Sequence, residues 1–112
     1  MLKPIFFIML LIFTSSLIGP DQRIVTTMSG NDLLKYCEST DGSERTLCNA
    51  YISGVRDGAT VEAQTLSFDM PLGVTSEQLQ DIVVKYLKGN PENRHQFAGF
   101  LVLKALRNAY PK

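Results

Sequence analysis

Cys48-Asn49-Ala50-Tyr51-Ile52-Ser53-Gly54-Val55-Arg56-Asp57-Gly58 is the stretch whose reading decides the fold. Cys48, Tyr51, Ile52, Val55 and Ala59 recur at steps of three, four and seven, which places them on one side of a helix. Gly54 and Gly58 lie together on the flank of that stripe. A glycine inside a helix costs about 1 kcal/mol relative to alanine, so a pair on one ridge predicts close packing by another backbone. The same spacing pairs helices in membranes, but Arg56 and Asp57 between the glycines exclude a membrane span. The stretch therefore predicts the central helix of an all-α protein: a small single-domain bundle of about four helices with one disulfide.

Outward from this centre, Ser43 is the expected cap of the helix, which continues to about Leu66 and adds Ala63 and Leu66 to the stripe. Glu62 projects near the middle of the stripe, so the helix is expected to bend or become exposed past Gly58. Upstream, Ser29 with Asp32 three residues later supplies a helix start, and a short helix to Cys37 presents Leu33, Leu34 and Cys37. Glu38 to Glu44 reads as an acidic connection with an Asp41-Gly42 turn signal. Downstream, Pro71 and Gly73 break the chain, and Thr75 with Gln78 has capping-box spacing. The third helix carries Leu79, Ile82, Val83, Tyr86 and Leu87, and Gly89 is expected to stop it in a left-handed conformation. Asn90 and Pro91 then read as the cap and first residue of a fourth helix. Its core face is Ala98, Leu101, Val102, Ala105, Leu106 and Ala109, and its opposite side carries Phe97 and Phe100 beside Lys104 and Arg107. A helix apolar on both sides is central or part of an interface, and Phe97 and Phe100 are read as a homodimer contact.

The first residues have a different character. Lys3, the apolar run Ile5 to Phe13 and the small residues Thr14-Ser15-Ser16 follow the plan of a secretory signal peptide. The run is too short for a membrane span, which needs about 20 residues. Residues 1–19 are therefore read as a leader, cleaved about Ser16, and 20–112 as the helical domain, periplasmic and without a membrane segment in its mature form. The chain has two cysteines, Cys37 and Cys48, and export favours pairing them. A mature domain of about 95 residues is only marginally stable. A bridge closing about a dozen residues adds roughly 3 kcal/mol by the chain-entropy model.

Eleven basic residues balance eleven acidic ones in 112, with no Lys/Arg cluster, so nucleic acid is excluded as a partner. His95 is the one histidine; Cys-His catalysis needs a free thiolate where both cysteines are assigned to a disulfide, and one histidine with a bonded cysteine pair does not supply zinc's three or four ligands. Phosphate loops and nucleophile elbows are missing. The reading is a non-enzyme with no cofactor and no metal.

The pattern Cys48-x-x-Tyr51-Ile52-x-Gly54-Val55-x-Asp57-Gly58 resembles the exported immunity proteins of the Rap/Tai type. The likeness includes Gly30-Asn31-Asp32-Leu33-Leu34 with Cys37, and Pro71-x-Gly73-Val74-Thr75. It continues through Val83-Val84-x-Tyr86-Leu87, Pro91-x-x-Arg94-His95, Ala98, Leu101-Val102-x-x-Ala105-Leu106 and Pro111. It thus runs in order over nearly the whole mature chain. The resemblance implies a periplasmic protein that protects a bacterium by binding and occluding a peptidoglycan amidase delivered by type VI secretion. Its partner-contact candidates are the acidic connection, with Glu38, Asp41 and Glu44, and then Asn90, Glu92 and Arg94 in the segment Lys88–Arg94. Loop substitutions at Asp41 and Glu44 are expected to leave stability nearly unchanged. The family pattern commonly has cysteine where this chain has Asp69, and ends Pro-Cys where it has Pro111-Lys112. The last helix is therefore expected to be less firmly tied to the loop at Phe68. A competing reading from another class is a periplasmic acid-stress chaperone, also small, helical and dimeric. Its carboxylates would be expected inside the apolar interface, where this sequence clusters none.

Overall fold

Four helices account for the framework. The computed structural model describes residues 27–61 and 68–112. The elements are α1 (Gly30–Glu38), α2 (Gly42–Val61), α3 (Ser76–Gly89), a 3-10 turn (Pro91–Asn93) and α4 (Ala98–Ala109). The expected all-α bundle is thus present, and among the described residues extended pairing is confined to two isolated antiparallel bridges, Ser29–Phe97 and Phe68–Pro111. The leader with its cleavage point, and Glu62, Ala63 and Leu66, lie outside the described residues.

The stripes read from the sequence converge on one core. Leu33, Leu34 and Cys37 of α1 meet Cys48 and Ile52 of α2, Leu79, Val83 and Leu87 of α3, and Ala98, Leu101, Val102, Ala105 and Leu106 of α4. Phe68 closes one end, and the described residues include no buried charged side chain. Each large aliphatic side chain moved out of water contributes about 1.5–3 kcal/mol, so this cluster is what offsets the entropy of ordering four short helices. Tyr51, Val55 and Ala59 are only partly buried and pack on its margin. The Cys37–Cys48 disulfide joins α1 to α2 with Cα atoms 5.0 Å apart, both cysteines within the core.

Two helix starts form as expected. Ser29 Oγ accepts from the Asp32 N–H while the Asp32 carboxylate accepts from the Ser29 N–H at 3.0 Å. Thr75 and Gln78 make the same reciprocal pair. Hydrogen bonds from the Ser29 side chain and backbone hold the Asp32 carboxyl below its ordinary pKa.

Four local expectations are corrected. Asp41, not Ser43, caps α2: its carboxylate accepts from the N–H of Ser43 at 2.8 Å and of Glu44 at 3.3 Å. Aspartate two residues further out reaches two orphan donors of the first turn. Gly89 is the last residue of α3 rather than a left-handed stop. The stop comes from Asn90, whose Nδ2 donates to the Tyr86 carbonyl at 2.8 Å. Pro91 opens one 3-10 turn, in which Asn90 makes no side-chain cap, and α4 begins only at Ala98; Ala109 at its far end is exposed. Finally, among the described residues no atom within 4 Å would meet a Cβ at Gly54 or Gly58, so no described backbone packs on that ridge. The close approach occurs instead at Gly30, where a Cβ would sit 2.5 Å from Leu101 Cδ1 and 2.9 Å from the Arg94 carbonyl oxygen.

That approach exists because the segment between the 3-10 turn and α4 is laced to the start of α1. Gly30 N–H donates to Gln96 O at 3.0 Å, Asn31 N–H to Arg94 O at 2.9 Å, and Ala98 N–H to Met28 O at 2.8 Å. At the other end of α4, the tie to the Phe68 loop persists without cysteines. Phe68 pairs with Pro111, and Asp69 N–H donates to Tyr110 O at 3.1 Å. Gly73, with φ of +89°, makes the turn before α3 in a conformation that suits glycine.

Candidate partner-binding surfaces

The acidic connection is a tight turn. Only Ser39, Thr40 and Asp41 separate α1 from α2, and the disulfide ties the two helices below them. Asp41 N–H donates to Ser39 Oγ at 3.1 Å. The Asp41 carboxylate accepts from both the hydroxyl and the N–H of Ser43 and from the N–H of Glu44. Those bonds, the Ser43 hydroxyl first, hold the carboxyl below its usual range. Asp41 is thus committed to shaping the turn. Glu38 forms an ion pair with Lys88, both side chains about half exposed, and Glu44 stands in the first turn of α2. The turn therefore presents carboxylates on a braced backbone, where little conformational entropy remains to be lost on binding.

The second set, Asn90, Glu92 and Arg94, brackets the 3-10 turn. Asn90 is occupied in stopping α3 and Glu92 is exposed. Arg94 is half-buried, its carbonyl bonded to Asn31 and its Nε enclosed without a hydrogen-bond partner. The structure does not gather the two sets into one patch. The Glu38–Lys88 pair links their edges, but the Arg94 segment docks on the first turn of α1 and the acidic turn follows its last. Nine helical residues, about 13 Å of rise, lie between.

A third surface is an open apolar groove of about 520 Å³ between α2 and α4, lined by Ala50, Tyr51, Gly54, Val55, Phe97, Gly99, Phe100 and Leu103. Phe97 and Phe100 are 51% and 46% exposed, as the two-sided pattern of the fourth helix suggests. Lys104 Nζ lies 4.8 Å over the Phe100 ring. The Tyr51 hydroxyl stands beside Gly99 at the start of α4, and burial raises its pKa above the ordinary value. Phe97, at the α4 cap position, makes no side-chain cap. Sequence reasoning placed Phe97 and Phe100 but missed the opposing wall. Its signal was Leu47, Ala50 and Gly54 at helical spacing on the flank of the α2 stripe; Leu47 is 45% exposed.

Among the described residues no group of His, Cys, Asp and Glu is arranged to hold a metal ion, and no helix is long and apolar enough to cross a membrane. His95 is exposed. Compared with known proteins, residues 29–111 match the family model described as Rap1a immunity proteins. No curated protein matches the chain.

Proposed function

The chain belongs to the Rap1a immunity proteins, and from that premise we propose that it is a periplasmic immunity protein that binds a type VI secretion amidase toxin and occludes its active site. The observation that carries this reading is the family match over residues 29–111, which spans all four helices. In this reading inhibition is stoichiometric, and the protein contributes no catalytic group. Amidases of this kind act on carboxylate-rich peptides, so an acidic turn can occupy the cleft as a substrate imitation. Glu38 and Glu44 supply the charge, Asp41 holds the backbone that presents it, and the disulfide braces the base. Asn90, Glu92 and Arg94 form a second contact region. The leader at residues 1–19 would deliver the domain to the periplasm, where the toxin acts on peptidoglycan. A homodimer with Phe97 and Phe100 at the contact completes the reading; the exposure of both rings supports it.

The test is a titration of purified amidase toxin, taken from the gene beside that of this chain, with the wild-type protein and a Glu38→Lys/Glu44→Lys variant. Hydrolysis of peptidoglycan fragments should stop at equimolar wild type and persist with the variant. Glu38 is exposed and Glu44 partly so, and surface pairs contribute only about 0–1 kcal/mol, so thermal unfolding should barely move. Full inhibition by the variant would move the contact to Asn90, Glu92 and Arg94. Failure of the wild type would remove the immunity assignment.

A further inference from the structure

Leu72 is the most exposed large apolar side chain among the described residues, at 102%. It stands at the tip of the turn before α3, between Pro71 and Gly73. Folding gains nothing from leucine there, because an apolar side chain stabilises only when it leaves water, and polar residues suit an exposed turn at least as well. The loop that carries it is held at both ends. Phe68 is buried in the core and bridges Pro111, and Asp69 N–H donates to Tyr110 O at 3.1 Å. Beyond the tip, Gly73 turns the chain and the Thr75–Gln78 capping box starts α3. Pro71 has its φ fixed by its ring. The tip is therefore a convex apolar knob on a braced backbone, which needs little further ordering on binding.

Its surroundings are acidic. From Phe68 to Asp81 the chain has three carboxylates, Asp69, Glu77 and Asp81, and no Lys or Arg. Asp69 and Glu77, on either side of the tip, are exposed, and no described ion pair occupies them. Lys112 follows Pro111, and the antiparallel register with Phe68 runs it away from the tip. Gln80, in the second turn of α3, donates to the Cys37 carbonyl at 3.3 Å. The acidic strip thus reaches the last turn of α1, which leads into the acidic turn.

We propose that Leu72 is the apolar anchor of the toxin contact, seated in an apolar pocket of a basic-rimmed cleft while the flanking carboxylates meet that rim. The inference rests on the immunity reading above and adds to it a contact residue outside both sets named there. Shape and charge select this occupant. A convex knob needs a concave partner, and an enzyme that takes carboxylate-rich peptides is concave and basic where it binds them. A second copy would have to take the tip head to tail in its α2–α4 groove, a heterologous contact that gives rings or open chains, and that groove is the homodimer face of the same reading. An anionic lipid surface repels the flanking carboxylates.

Inhibition of the amidase by the full, disulfide-bonded protein tests it, with wild type, Leu72→Ala and Leu72→Asp compared at toxin concentrations below the apparent Kd. Leu72→Ala should weaken inhibition roughly tenfold or more, as for a leucine withdrawn from a buried contact, and Leu72→Asp should weaken it further. Circular dichroism and the melting midpoint should stay at wild-type values. Wild-type affinity in both variants overturns the anchor and leaves the immunity reading standing. Lost affinity with a lowered melting midpoint assigns Leu72 to folding and overturns it as well. Sedimentation covers the other occupant: if Leu72→Asp breaks up a wild-type oligomer, the knob seats in a second copy and the proposal fails. A wild type that never inhibits overturns both readings.

Discussion

Replacing Gly30 with alanine adds one methyl group where the structure has no room for it. The new Cβ would lie 2.5 Å from Leu101 Cδ1, 2.9 Å from Arg94 O and 3.2 Å from Arg94 Cα. Carbon atoms pack best at about 3.5–4.0 Å, so Leu101 must retreat by about an ångström, yet it is fully buried among α1, α3 and α4. Arg94 has no better escape. Its carbonyl accepts from Asn31 N–H at 2.9 Å, and the neighbouring Gly30 N–H to Gln96 O bond pins the same strip. Overpacking of this kind costs about 1–3 kcal/mol. Alanine's helix preference returns less than about 1 kcal/mol, because Gly30 is the first residue of α1. A net loss of about 1–2 kcal/mol lowers the melting midpoint of a domain this size by roughly 5–15 °C. Thermal unfolding followed by circular dichroism reads it, with the disulfide intact in both proteins. Hydrogen exchange should also quicken at the amides of Asn31 and Ala98, which cross the same seam. A variant as stable as wild type would refute the close-approach account of this glycine.

Other outcomes follow from the same contacts. Reducing the Cys37–Cys48 bond, or replacing both cysteines with serine, should cost roughly 3 kcal/mol by loop-closure entropy, seen as a lower denaturant midpoint; an unchanged midpoint would contradict the brace assigned to it. Asp32 and Asp41 have folded pKa values below 3.8, so below that value the unfolded chain takes up protons first. Their contribution is complete above pH 3.8 and is lost as pH falls through the lower folded values. Asp41→Asn, which keeps a capping oxygen, should flatten the acid limb of the stability curve; an identical limb would show that the Asp41 bonds do not form in solution.

The helical core was legible because burial imposes a period on the residue types. Leu33, Cys48, Ile52, Leu79, Val83, Leu87, Leu101, Val102 and Leu106 lie on the stripes that spacing predicts, and all are buried. The capping boxes at Ser29 and Thr75 were legible for a related reason, since both partners lie within four residues. The tertiary details were not. Gly30 reads as an ordinary residue before a helix, and its need for a bare Cα arises from Leu101 and Arg94, far away in sequence. Gly54 and Gly58 were read as a ridge built for close approach, but among the described residues nothing makes the approach. Asp41 was read as a loop charge whose replacement leaves stability untouched, whereas it caps α2; a substitution there tests folding before it tests binding. Tyr51 was visible only as part of a stripe, because the residues it faces across the groove belong to the start of α4.

The measurement that bears most directly on the assignment is an amidase assay at fixed toxin and rising immunity protein. The account predicts that hydrolysis of the peptide cross-bridge falls linearly to zero at one protein chain per toxin active site. The toxin should emerge chemically unmodified and recover its activity once the two are separated under denaturing and refolding conditions. Undiminished hydrolysis in a large excess of the folded, disulfide-bonded protein would contradict it.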